Sequence, residues 1–371
     1  GVWVFLLFVA AFGAVLKVPL VNGSFTASSK GFESQKLNMP LYNDTRTDTD
    51  LPFFPGYVLS SSSSPSPGYS ETSEYLIGSV AVGVIFLESN GAIDPQTENW
   101  TSERESQVVN EISSGLSWLA NYNPDAHVSF VYDIHYQVPT SYEPIAHTST
   151  WYEKYWIGEA MTYLGYPGSS YKTQVRDYVN ALRDSLGTDW AFAIFVVDSY
   201  NDANGQFAGG DFAYAYLGGT FLVMTYKNDA WGIENMDDVV AHETLHIFYA
   251  TDEYEKPNEY SGYLNVKDDD GADCIMNADH PIWTICSATR GQIGWRDTDG
   301  DRIQDIVDTF PKTTMTLVPS SLTDATTHTY QGSVEEVPYP NRNPWGSGRD
   351  VTINTIKIVK FRVDGGPWLS A

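Results

Sequence analysis

His242 and His246 stand four residues apart in the run His242-Glu243-Thr244-Leu245-His246. On a helix that spacing stacks the two imidazoles on one face, a turn apart, so both can reach the same ion. Glu243 lies beside them, next to the coordination position that protein ligands leave open. The HExxH pattern is that of zinc-assisted hydrolysis, in which the carboxylate takes a proton from the attacking water and passes it to the leaving group. The apolar neighbours Met236, Val239, Val240, Leu245 and Phe248 predict a helix from Asp237 to about Tyr249, with Asp237 or Asp238 as its N-cap.

A catalytic zinc site normally takes three protein ligands and keeps one position open. The chain continues IFYATDEYEKP, and Asp252 falls six residues after His246. To return a carboxylate to the ion the chain must leave the helix near Tyr249–Ala250. Asp252 is the first candidate for the third ligand; Glu253 and Glu259 are the alternatives.

HETLHIFYATD resembles the metzincin zinc signature, HExxHxxGxxH/D, in its form with aspartate as third ligand. Tyr249 occupies the position where that pattern carries glycine. The resemblance implies a methionine in a tight turn beneath the metal, a role that Met276 in CIMN (274–277) would fill. The stretches DEY (252–254), GYLN (262–265), CIMN and TRGQIGWRDTDGDRIQD (289–305) further resemble a group of exported prokaryotic peptidase-like proteins. The likeness is good over about 190–310 and loose over 76–190. It implies a sheet-and-helix half, the metal helix behind a cleft, and a small irregular C-terminal half.

Other residues carry weaker signals. Asp297, Asp299, Asp301, Asp305 and Asp308 alternate through DTDGDRIQDIVD like the oxygen ligands of a calcium loop, although Arg302 stands where such loops prefer glycine. A solvated acidic turn is the competing reading. Cys274 and Cys286 are the two cysteines, and in an exported chain an even count suggests one disulfide. Asp198, Asp202 and Asp211 flank a Gly/Asn-rich loop that reads more simply as a polar turn than as a second cation site. One of Tyr254, Tyr260 and Tyr263 could donate to an oxyanion, but packing is the default for a chain with 24 tyrosines.

The elements that must position these residues are legible from periodicity. Residues 80–87 and 190–197 are apolar β-branched runs that predict buried strands, and 127–134 a further strand. Val108, Ile112, Leu116 and Leu119 predict an amphipathic helix over 102–121; helices follow at 151–164 and 171–186. Two β-rich runs lie in 211–226, around Gly218-Gly219, and could hold a peptide as an added strand. Strands alternating with helices imply an α+β domain, a mixed α/β sheet packed by helices, followed by the start of a small all-β domain. The expected divisions are 1–22 signal peptide or anchor, 23–75 linker or pro-segment, 76–310 catalytic domain and 311–371 β-rich C-terminal domain. The first expectation rests on the uncharged run GVWVFLLFVAAFGAVL, and the last domain reads as truncated.

The formal net charge of −26 disfavours binding to nucleic acid or to anionic lipid. The expected membrane link is the N-terminal segment alone, if it is uncleaved. The reading is a secreted or cell-surface, monomeric zinc endopeptidase acting on protein or peptide. The alternative is a surface or binding protein that keeps the fold without the activity.

Overall fold

The computed structural model describes residues 4–6, 65–254, 259–277, 281–318, 329–363, 366–367 and 369–370. Two units are distinguished: a larger one, Leu41–Thr309 with Pro338–Ile353, and a smaller one, Gly1–Pro40, Phe310–Val337 and Asn354–Ala371. The first described strand, β1 (Val4–Leu6), belongs to the smaller unit.

The larger unit is mixed α/β, with a five-stranded sheet packed by helices. Its strands are β2 (Ser79–Ser89), β3 (Ser129–Thr140), β4 (Trp190–Val197), β5 (Ala213–Ala215) and β6 (Phe221–Thr225), in the order β3-β2-β4-β6-β5. All neighbouring pairs are parallel except β5 with β6, which is antiparallel. Central parallel strands are covered on both faces, and so they read as continuous apolar runs. β4 shows this: every residue of WAFAIFVV is buried.

Side chains of a strand alternate between faces. Ala191, Ala193, Phe195 and Val197 therefore share one face with Ala81, Ile85, Phe221 and Val223, against Trp156, Ile157 and Met161 of α2 (Ser149–Tyr163) and Val175, Val179 and Leu182 of α3 (Tyr171–Leu186). The opposite face takes α1 (Ser102–Tyr122) and α4 (Met236–Ile247). Val108, Ile112, Leu116 and Leu119 of α1 are buried as their spacing requires. α1 and α4 pass so closely at Gly115 that a Cβ there would sit 2.2 Å from the Asp237 carbonyl oxygen. Only glycine lets the two backbones meet.

α4 begins at Met236 with Asn235 at its N-cap position and no side-chain cap, not at an aspartate cap. Asp237 Oδ1 instead accepts the N–H of Asp238. After α4 come a short hairpin, β7 (Tyr260–Ser261) with β8 (Val266–Lys267), and the one-and-a-half-turn helix α5 (Ser287–Gln292).

Two stretches differ from the sequence expectation. Residues 71–77, partly assigned to the polar linker, are buried in the larger unit, and the Trp190 indole N–H donates to the Ile77 carbonyl. Residues 338–353, assigned to the C-terminal β domain, return to the larger unit. Arg349 pairs with Glu71, Asn341 bonds Glu74, and Tyr263 fastens the segment's backbone: its hydroxyl is 2.9 Å and 3.0 Å from the carbonyls of Tyr339 and Val351, and it accepts the N–H of Val351. Tyr263 is therefore a packing residue, fully buried.

The smaller unit holds a two-stranded antiparallel sheet, β9 (Lys312–Val318) with β10 (Thr329–Glu335), and a three-stranded antiparallel sheet of β1, β11 (Lys360–Val363) and β12 (Leu369–Ser370). The remainder of the apolar run 1–16, and residues 23–64, lie outside the described residues. Among the described residues no helix is long and apolar enough to cross a membrane.

Candidate metal centre

α4 ends in a Schellman turn, and that turn builds the site. Tyr249 N–H donates to the His246 carbonyl (2.9 Å) and Ala250 N–H reaches back to the Leu245 carbonyl (2.9 Å). The residue between the last helical residues and this return must adopt the left-handed conformation, which is why glycine is usual there. Tyr249 adopts it, at φ 69°. A side chain in that region costs about 1–2 kcal/mol. The surroundings hold it there: Ser261 Oγ donates to the Tyr249 carbonyl (2.7 Å), and the tyrosine ring covers Gly218.

The reversed chain then delivers Asp252. Thr251 N–H donates to Gln292 Oε1 (2.9 Å), and Gln292 Nε2 donates to Thr251 Oγ1 (2.8 Å). On the other side Glu253 N–H donates to the Met276 carbonyl (2.8 Å). With both neighbours pinned, Asp252 Oδ1 lies 3.4 Å from His242 Nε2 and 3.4 Å from His246 Nε2, and the two Nε2 atoms are 3.1 Å apart.

These separations fit a zinc ion. Tetrahedral zinc with N and O ligands at about 2.0–2.2 Å spaces its donor atoms about 3.3–3.6 Å apart. The tautomers fit as well. His242 Nδ1 is 2.8 Å from the Ile275 carbonyl and His246 Nδ1 is 2.7 Å from the Ala250 carbonyl. A carbonyl can only accept, so each Nδ1 carries the proton and each Nε2 presents a lone pair to the centre. Two nitrogen lone pairs and a carboxylate held within 3.4 Å of one another repel unless a cation lies between them.

Of the three carboxylates considered for this position, the geometry brings Asp252 to the histidines. Glu253 points the other way. Its carboxylate accepts from Asp269 N–H, Thr289 Oγ1 (2.9 Å) and Cys286 Sγ (3.2 Å). Burial, reinforced by Cys286, pushes its pKa up to about 8. Glu259 is not in the group that converges with the histidines; its N–H donates to Asp268 Oδ2 (2.8 Å). Glu243 is buried on α4 between the two histidines.

Met276 is fully buried in a tight turn, closed by Asn277 N–H on the Cys274 carbonyl (2.9 Å). The turn's backbone touches both ligand-bearing segments: Ile275 O meets His242, and Met276 O meets Glu253. The functional groups that sequence reasoning missed are these carbonyls and the Gln292 clamp. They carry no sequence signal, since any residue supplies a carbonyl and a single glutamine has no spacing partner.

Three expectations are revised. The disulfide is not formed, and Cys274 and Cys286 are free thiols. They lie side by side in a hydrogen-bonded cluster in which Cys286 N–H donates to Cys274 Sγ (3.2 Å). Calcium gains no support from the acidic loop. Asp297, Asp299 and Asp301 do converge, but each accepts N–H groups of its own loop, from Gly300 and Arg302, Asp301, and Ile303 respectively. Turn formation by itself accounts for that spacing. Asp305 is taken up by Arg296 and Thr298, and Asp308, whose pKa burial and its acidic neighbours raise, is not in the converging group. Third, β5 ends the sheet but its residues are only 1–2% exposed, so it offers no open edge to a peptide.

Asp198, Asp202 and Asp211 are engaged separately, with Arg104, with the Asn204 and Gly205 N–H groups, and with Ser149. The polar-loop reading describes them.

No protein-family model matches the chain, and no curated protein does. Among solved structures it is similar to a zinc-dependent peptidase from Methanocorpusculum labreanum, at 12% identity over 57% of this chain and 99% of that one, with a TM-score of 0.29. It is also similar to metalloproteinase-II from Bacteroides fragilis, at 11% identity over 65% of this chain, with a TM-score of 0.28. The match spans 56% of that second chain's length.

Proposed function

We propose that this protein is an exported zinc-dependent endopeptidase of metzincin type, with His242, His246 and Asp252 as metal ligands and Glu243 as general base. The observation that carries the proposal is the triangle of His242 Nε2, His246 Nε2 and Asp252 Oδ1, with sides of 3.1, 3.4 and 3.4 Å. When bound there, zinc supplies Lewis acidity toward water and the scissile carbonyl.

The chain's own groups do the rest. The Ile275 and Ala250 carbonyls keep both imidazoles in the ligating tautomer and fix their rings. Glu243, one residue from His242 and shielded from bulk solvent, takes a proton from the attacking water and returns it to the departing amine. Met276, in its turn behind the ligand segments, is the counterpart of the clan's methionine turn. A peptide or protein is the substrate class.

The test is hydrolysis of an unfolded protein by the wild type and by Glu243→Gln, with zinc measured in both. Loss of activity at unchanged zinc content supports the reading. Undiminished hydrolysis by the variant removes Glu243 from the mechanism.

A further inference from the structure

Behind the metal centre lies a second convergence of metal-binding side chains that the peptidase reading does not use. Glu253, Cys274 and Thr289 are fully buried, and Cys286 is partly so. One donor atom each from Glu253, Cys274 and Cys286 lies within 4.8 Å of the others. Thr289 Oγ1 completes the group: it is 2.9 Å from Glu253 Oε1, 3.3 Å from Cys274 Sγ and 3.3 Å from Cys286 Sγ, while Cys286 Sγ is 3.2 Å from Glu253 Oε1.

Four of the separations among these atoms thus lie between 2.9 and 3.3 Å. Zinc with S at about 2.3 Å and O at about 2.0 Å requires corner separations of about 3.3–3.8 Å. Each sulfur also accepts a backbone N–H. Cys274 Sγ accepts the N–H of Cys286 (3.2 Å) and Cys286 Sγ accepts the N–H of Thr289 (3.3 Å). Backbone donors aimed at ligand atoms are the usual support of a thiolate–metal bond.

We propose that Glu253, Cys274 and Cys286 form a second cation site, selective for a thiophilic divalent ion of the zinc class. Two sulfurs and one carboxylate suit zinc or cadmium and do not suit calcium or magnesium. On binding, each thiol releases its proton to solvent and the thiolate donates a lone pair to the ion, with no change of oxidation state. The site sits one residue from Asp252, through Glu253, and one residue from the Ile275 carbonyl that orients His242. An ion there ties the two ligand-bearing loops together, and its role is structural. The inference stands apart from the peptidase reading, because the His242–His246–Asp252 centre contains no sulfur.

Cadmium titration of the reduced full chain tests it, after chelation and under exclusion of oxygen. These are the chain's two cysteines, so any sulfur-to-cadmium charge-transfer absorption must come from them. The expected result is such a band saturating at one equivalent, with a second equivalent binding silently at the histidine site. Cys274→Ser and Cys286→Ser lose the band. Glu253→Gln keeps sulfur absorption but weakens cadmium binding about tenfold or more. Should either serine variant fail to fold, the wild-type spectrum decides alone. Cadmium uptake by the reduced wild type without that band overturns the proposal. So does isolation of a Cys274–Cys286 disulfide with no ion bound once it is reduced.

Discussion

The ring of Tyr249 occupies the space into which a side chain on Gly218 would project: a Cβ there would lie 2.1 Å from Tyr249 Cε1 and Cζ. Gly218 N–H in turn donates to the His246 carbonyl (2.9 Å), so the loop after β5 is fastened to the helix end that carries a candidate ligand. The left-handed tyrosine and the glycine beneath it form one unit. Gly218 is itself at φ 64°. We expect Gly218→Ala to destabilise the protein by roughly 2–4 kcal/mol, from overpacking plus backbone strain. Tyr249→Gly relieves both the clash and the φ strain at 249, so the double variant should be less destabilised than the sum of the two single changes. Urea unfolding of the four proteins measures the coupling. Strict additivity would show that the two residues do not communicate.

Asp252 is predicted to hold the third ligand position. Asp252→Ala should lower zinc affinity by a factor of about 100 or more, and Glu259→Ala should leave it within about twofold. Competition with a zinc-selective chelating dye reports both. Equal losses in the two variants would contradict the assignment.

The clamp on Thr251 predicts a distinct effect for Gln292, which is not one of the proposed metal ligands. Gln292→Ala removes both hydrogen bonds to Thr251 and loosens the segment that delivers Asp252. Zinc affinity is expected to fall about 10–100-fold, the range usual for groups that orient ligands. Excess zinc should restore most of the hydrolytic rate, which it cannot do for Glu243→Gln.

Stability is predicted to decline from acid to neutral pH through Glu74. Its carboxyl is buried, and burial together with the Glu71 charge pushes its pKa from 4.5 up to about 8. Between those values the folded state keeps a proton that the unfolded state has lost. Folding then binds protons, and stability falls as pH rises, by up to about 1.4 kcal/mol per pH unit for one proton. Glu74→Gln cannot ionise, so it should flatten this slope between pH 5 and 8. Denaturation midpoints of the two proteins across that range provide the check. Parallel slopes would exclude Glu74 as the source.

Much of the framework was legible in the residues. The buried strands of β2 and β4, the amphipathic face of α1 and the boundaries of α3 follow from apolar periodicity, because burial on one face or both leaves period-specific traces. The pair His242 and His246 was legible because a helix converts a spacing of four into adjacency. Less was available where the partner is distant or anonymous. Residues 338–353 carry no periodic signal, and what returns them to the larger unit is a set of distant partners, among them Tyr263, Glu71, Glu74 and Tyr75.

The residue types alone set the chemistry on offer: two imidazoles a helical turn apart, a carboxylate between them, and several acids close behind. Tertiary structure chose among those acids. A Schellman turn through Tyr249 and the clamps on Thr251 and Glu253 aim Asp252 at the imidazoles and Glu253 at the thiols. Sequence spacing cannot separate adjacent carboxylates, since their directions are set by backbone torsions and by hydrogen bonds from α5 and the Met276 turn, segments that meet only when the chain is folded.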